Sequence, residues 1–162
     1  MIKRVISGGQ TGADQAGLAV AKRLGILTDG FVSKGFLTET GPRPDLTAEY
    51  GLEETDTVDY AERTERNVLL ADGTVVFGDA RSPGSMLTVR LCRRHGRPCL
   101  TIPPDAAPDQ AARPLQAWLE EHRIATLNVA GNRASQAPRV AMLVHAVLEL
   151  ALQDTFSGSQ GC

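Results

Sequence analysis

The sequence predicts a single α/β domain with a doubly wound, mainly parallel sheet and helices on both faces. Three observations carry this. Short apolar runs of strand length alternate with longer amphipathic stretches, the pattern of parallel crossover units. Three strand-to-helix junctions combine glycine with hydroxyl or amide side chains. No internal repeat or linker interrupts the alternation, and 162 residues are enough for one hydrophobic core. The domain is expected over residues 1–156, with the small polar stretch 157–162 as a fraying tail.

In chain order, residues 3–6 read as the first strand. Gly8, Gly9 and Gly12 open a loop, and residues 13–24 follow with the helical stripe Gly17, Val20, Ala21, Leu24. A second strand is expected at 30–33. Residues 34–56 hold three glycines and two prolines and read as a long loop of functional length. A helix is expected at 60–71 and a buried strand at 74–77. A turn-rich loop then runs to a helix at 86–95, with Ser82-Pro83 suited to its start. A strand at 98–102 and a helix between 108 and 122 come next. Pro114 blurs the start of that helix, because proline fits a first turn better than an interior. A strand at 126–129 and a helix at 138–153 close the domain. That last helix is apolar around most of its circumference, with only His145, Glu149 and Gln153 in a polar stripe. A helix docked on one face needs only about a 100° apolar stripe, so burial on two sides is expected, in a symmetric dimer or tetramer.

Seventeen basic against nineteen acidic side chains give a formal net charge of −2. No basic footprint for nucleic acid or an anionic membrane follows from that balance. No apolar run spans a bilayer, and no leader pattern opens the chain, so a cytoplasmic location is expected. Cys92, Cys99 and Cys162 make neither a disulfide framework nor a zinc pattern; Cys92 and Cys99 read as packing residues.

Ligands of open parallel sheets bind beyond the carboxyl ends of the strands. Three loops fall there: Ser7 to Asp14, Gly78 to Ser85, and Asn128 to Ser135. Glycine admits an anion close to the backbone, and the following helix start presents N–H groups. The candidate ligand residues are Gly8, Gly9, Gln10, Thr11, Gly12 and Asp14 in the first loop, and Asp79, Gly84, Ser85 and Thr88 in the second. Asn128, Gly131, Arg133 and Ser135 follow in the third, with Lys34 and Arg43 from the long segment. An anion is expected near Gly12 or Gly84. Asp14 also stands three residues after Thr11, a capping arrangement, and the serines can equally be caps. Arginine suits phosphate through its paired N–H fork, although each arginine can also be a solvated surface residue. No protein metal-ligand pattern is present. P-loop, dinucleotide and nucleophile-elbow motifs are absent.

The segments SGGQTGAD at 7–14, YGL at 50–52, YAERTERNV at 60–68, DGT at 72–74, GSMLT at 84–88 and LNVAGNRAS at 127–135 resemble the molybdenum carrier protein family. The likeness runs in order over nearly the whole chain. It implies a Rossmann-like fold that looks like a circularly permuted relative of the LOG-type phosphoribohydrolases. It also implies storage and hand-over of molybdenum cofactor, a phosphorylated pterin whose dithiolene holds the metal, by a homo-oligomer. The alternatives are a nucleoside 5′-monophosphate phosphoribohydrolase with Asp14 as its acid, and a non-catalytic sensor of a nucleotide-derived ligand. The LOG-type pattern P-G-G-x-G-T-x-x-E is met only in its phosphate-cradling half: Ser7 replaces the proline, and Asp14 is the only acid near the first helix.

Overall fold

The computed structural model describes residues 1–153, so the expected end of the domain and its tail lie outside the described residues. Five strands form one parallel sheet: β1 (Arg4–Ile6), β2 (Leu27–Asp29), β7 (Gly73–Phe77), β8 (Cys99–Ile102) and β9 (Thr126–Gly131). Their order is β2-β1-β9-β7-β8. The chain builds outward from β1 to β2, begins again at β7 and β8, and inserts β9 between the two halves. That insertion is the reversal in strand order beside which a crevice opens.

The expected doubly wound α/β architecture is present. Helices α1 (Ala13–Arg23), α5 (Pro108–Glu121) and α6 (Val140–Gln153) cover one face, and α3 (Tyr60–Leu70) and α4 (Pro83–Arg94) the other. Strand alternation sorts the core. Val75, Phe77, Leu127 and Val129 point to the first layer and pack with Leu115, Val144 and Leu148, as the period of two requires. Between them Thr74 and Asn128 are buried on the other face, where the Asn128 amide donates to Thr74 Oγ1 at 3.2 Å. Cys92 and Cys99 pack beside Val68 and Leu91. Proline is accommodated at both expected starts, α4 and α5, while Pro114 lies inside α5.

The second strand differs from expectation. β2 lies at Leu27–Asp29, whereas residues 31–32 form β3 (Phe31–Val32) in a separate two-stranded ribbon with β6 (Glu53–Glu54). Gly30 separates β2 from β3. Its φ is +140°, and its Cα approaches the Ser7 carbonyl so closely that a Cβ would stand 2.2 Å from that oxygen. The chain turns there because only glycine fits. The long segment is also more ordered than a loop: it holds the hairpin β4 (Leu37–Thr38) and β5 (Gly41–Pro42), then α2 (Asp45–Tyr50). Leu46 and Leu52 bury against Leu18 and Val32 in a small core of their own.

In α6, Val140, Leu143, Val144, Val147, Leu148, Ala151 and Leu152 are buried within the chain. Met142 and Leu150, 72% and 46% exposed, remain open on the outer side, with partly buried Ala146 between them. No helix among the described residues is long and apolar enough to cross a membrane.

Candidate functional site

A cleft of about 320 Å³ opens at the carboxyl ends of β1, β7 and β9. Of the residues expected from sequence, the structure brings together Gly8, Gln10 and Asp14 from the loop before α1, and Gly84, Ser85 and Thr88 from the start of α4. Asn128, Gly131 and Arg133 join them from β9 and the loop after it. The wall opposite comes from α3, whose Tyr60, Arg63, Thr64 and Asn67 also face the cleft.

The first loop closes on Asp14. Its carboxylate accepts the Gln10 N–H at 3.2 Å and the N–H of Gly8. Its backbone carbonyl accepts from Ser7 Oγ. Asp14 is therefore a cap for the loop rather than for its helix, and Gly12 at the N-cap position receives no side-chain cap. Arg63 stands beside Asp14: a Cβ on Gly8 would lie 2.8 Å from Arg63 Nε and 3.0 Å from Asp14 Oδ2. Arg63 also donates to the Gly8 carbonyl at 3.3 Å. Arg63 and Arg133 both lie over the Tyr60 ring, 5.0 and 5.7 Å from its centroid. Two cations thus share one wall with a single nearby buried acid.

Burial pushes the Asp14 carboxyl up to about 6, against the opposing pull of Arg63, the Gln10 amide and Arg133. Burial also lowers the proton affinity of Arg63, which Asp14 partly restores. A carboxyl with a folded pKa above its unfolded value binds its proton more tightly in the folded state, so its contribution to stability falls as pH rises from about 4 to about 6 and is lost above that. Between pH 7 and pH 5 the protein should gain about 1 kcal/mol relative to Asp14→Asn, which lacks the titration. Parallel urea-denaturation midpoints of the two proteins across that range measure it, and identical pH slopes would exclude the shift.

Asn132 fixes the floor between the second and third loops. Its Oδ1 accepts the Asp79 N–H at 2.7 Å, and its Nδ2 donates to Ser82 Oγ at 2.8 Å. Gly78 makes room for it, since a Cβ there would stand 2.1 Å from Asn132 Oδ1. On the outer side Glu39 clasps two loops. Its carboxylate accepts from Thr11 Oγ1 and from the N–H and hydroxyl of Ser135. These bonds hold the Glu39 carboxyl below the usual range.

Seven expected residues do not line the cleft. Gly9, at φ +73°, packs on Leu52 and Leu46. Gly12 abuts the Asn132 carbonyl, and Thr11 and Ser135 serve Glu39. Arg43 is spent on Asp45, with a fork of contacts between 2.8 and 3.2 Å. Asp79 engages the backbone and side chain of Arg81. Lys34 is exposed in a turn. Conversely, Arg63, Tyr60, Gln136 and Ser82 line the cleft without having been singled out as ligand residues. The segment 60–68 was visible as a motif, but not which of its faces meets the first loop.

Four buried side-chain polar atoms among the described residues have no hydrogen-bond partner: Gln10 Nε2, Arg63 Nε, Ser85 Oγ and Ser33 Oγ. The first three belong to cleft residues. Groups of this kind cost free energy when left unpaired, and their concentration in one cleft marks it for a polar ligand. No cluster of three or more His, Cys, Asp or Glu able to hold a metal occurs among the described residues.

The model of the circularly permutated YpsA SLOG family matches residues 5–152. A crystal structure of a "Putative molybdenum carrier protein" from Syntrophus aciditrophicus SB aligns with a TM-score of 0.88 at 40% identity, over 93% of this chain and 95% of that chain. No curated protein matches the chain.

Proposed function

Since the chain belongs to the circularly permutated YpsA SLOG family, we propose that its cleft binds a phosphorylated small molecule and that this cargo is molybdenum cofactor, which the protein stores and hands on. The observation that carries the reading is the set of buried, unpartnered groups at Gln10, Arg63 and Ser85 beside a second arginine, Arg133. Gln10 Nε2 and Arg63 Nε are donors, and a serine hydroxyl can donate, which matches an acceptor-rich, anionic ligand. The name of the Syntrophus protein points to molybdenum as the cargo. With the cofactor bound, the metal would keep its own dithiolene ligands, and the cleft's donors at Gln10, Arg63, Ser85 and Arg133 would grip the phosphate and the pterin. Loading the purified protein with molybdenum cofactor, then measuring retained molybdenum and pterin after gel filtration, tests this. Near one equivalent of each is expected, and neither above the level of an unrelated protein would reject it.

One observation favours the hydrolase alternative: a buried cleft carboxyl near pKa 6 can be a proton donor. Against it, that carboxylate already accepts from the loop amides and faces Arg63. No free base should therefore appear when the protein is incubated with a panel of nucleoside monophosphates. Multiple turnovers that vanish in Asp14→Asn would replace the carrier reading.

Self-association through the open stripe Met142, Ala146 and Leu150 of α6 is part of the same proposal. Light scattering at micromolar concentration should report a dimer or tetramer, and a monomer would remove it.

A further inference from the structure

Strand register sets a short polar row beside the cleft. β7 and β9 place Thr74 opposite Asn128, and β7 and β8 place Thr74 opposite Cys99. Thr74 is the middle of the row: its Oγ1 accepts from the Asn128 amide at 3.2 Å, and its hydroxyl donates to the sulfur of Cys92 on α4. The Cys99 thiol donates to the same sulfur. Cys92 thus gathers two donors in a pocket otherwise made by Val68, Leu87 and Leu91. Asn128 lines the cleft, so one chain of hydrogen bonds runs from the cleft wall to a pair of thiols.

Packing needs a small hydrophobe at each position, not two thiols in contact. The bond from Cys99, together with that from Thr74, holds the Cys92 thiol below its usual range against burial. The same sulfur–sulfur bond, with burial, pushes the Cys99 thiol up. One proton is shared, and the single negative charge belongs to the pair rather than to one sulfur. Reach is unequal: Cys92 is fully buried, whereas Cys99, on the edge strand β8, is only partly so. The link between them is six residues long and turns through Gly96 at φ +62°, with the Arg97 N–H bonded to the Cys92 carbonyl at 2.9 Å. Cross-linking so short a loop removes little entropy from the unfolded chain. A bond here therefore serves as a reversible one rather than as a staple.

We propose that Cys92 and Cys99 form a dithiol that a small hydroperoxide closes to an intramolecular disulfide, and that Thr74 and Asn128 tie its state to the cleft. The Cys99 sulfur, with Cys92 keeping the shared proton, attacks the peroxide. The O–O bond breaks, Cys99 becomes a sulfenic acid, and the leaving oxygen takes a proton from solvent. The Cys92 sulfur then attacks that of Cys99. The S–S bond forms, the S–O bond breaks, and the departing hydroxide takes the Cys92 proton as water. Two thiols lose two electrons to one peroxide, which is reduced. Closure removes the charged acceptor of the Thr74 hydroxyl, and with it the fixed orientation of the Asn128 amide in the cleft wall. None of this depends on which ligand the cleft takes.

The test uses the Cys162→Ser chain, which keeps only these two cysteines. Brief treatment with hydrogen peroxide should remove two hydrogens from its intact mass, and dithiothreitol should restore them. Tryptic digestion of the oxidised protein should yield residues 91–93 joined to the fragment that carries Cys99. With Cys92→Ser added, Cys99 should stop at the sulfenic acid and be trapped by dimedone. In the ¹⁵N-labelled protein the Asn128 side-chain amide should shift on oxidation. Thr74→Val, which keeps the branched shape without the hydroxyl, should still form the disulfide and lose that shift. Oxygen added to either sulfur without the loss of two hydrogens would overturn the dithiol. So would thiols left unchanged by a peroxide dose that oxidises glutathione in the same tube. A disulfide that leaves the Asn128 resonance in place would overturn its tie to the cleft.

Discussion

Replacing Arg63 by methionine is expected to weaken binding of a phosphorylated ligand by about a hundredfold, the equivalent of about 3 kcal/mol. Three features of this side chain bear on that figure. Its Nε is buried and unpartnered in the cleft, so a ligand acceptor there would gain a charge-assisted bond without displacing an internal one. Its guanidinium is the strongest influence holding the Asp14 carboxyl down against burial. Without it the Asp14 carboxyl should titrate higher still, which also loosens its hold on the Gln10 amide. Finally, Arg63 packs over Tyr60, so the methionine stem keeps part of the contact while the charge is lost. Arg63→Lys separates these contributions: charge without the fork should recover part of the affinity but not all of it. Binding by calorimetry, with the melting temperature measured on the same samples, decides the matter. An affinity within twofold of the parent protein for Arg63→Met would take Arg63 out of the site.

The contrast between Arg63 and the residues read directly from sequence shows what the chain makes legible. The alternation of strands and helices, and the glycines at strand ends, are local signals. They placed Gly8, Gln10, Asp14, Gly84, Ser85, Thr88, Asn128, Gly131 and Arg133 at one edge of a parallel sheet, and that is where they converge. Arg63 reaches Gly8 across 55 positions, and Glu39 reaches Ser135 across 96; no local periodicity encodes either meeting. The segment 34–56 hid its structure for another reason. Its strands are two residues long, too short for any alternation to register, and its order comes from Leu46 and Leu52 burying under Gly9. Arg43 is a sound candidate by residue type, and its fork is engaged by Asp45, two positions on, away from the cleft lining. The second strand was displaced by Gly30, whose sequence signal fits a strand start as well as the break it makes.

The largest effect on folding is expected at Gly131. This residue ends β9 with φ +153°, paired in register with Phe77, and an ideal Cβ on it would stand 2.2 Å from the Phe77 carbonyl oxygen and 2.9 Å from Ala13 Cβ. Neither neighbour can yield easily: one is backbone in the central sheet, and the other is the first residue of α1, fully buried. Gly131→Ala combines a backbone conformation unfavourable to any side chain with overpacking against fixed atoms, and should destabilise the protein by about 3–5 kcal/mol. For a chain of this size that is a drop in melting temperature of roughly 6–15 °C. The next residue, Asn132, ties Asp79 and Ser82 to the floor of the cleft, so relief of the clash by shifting the strand end would disturb the start of α4 and lower phosphate affinity as well. Gly84→Ala is the matched control. Nothing lies within 4 Å of its Cβ position, and an alanine in the first turn of a helix should be neutral or stabilising by up to about 1 kcal/mol. Thermal melts of the two variants side by side separate the explanations: a large loss at Gly131 with none at Gly84 locates the requirement in the close approach of β9 to β7, whereas equal losses would mean that both glycines serve only chain flexibility.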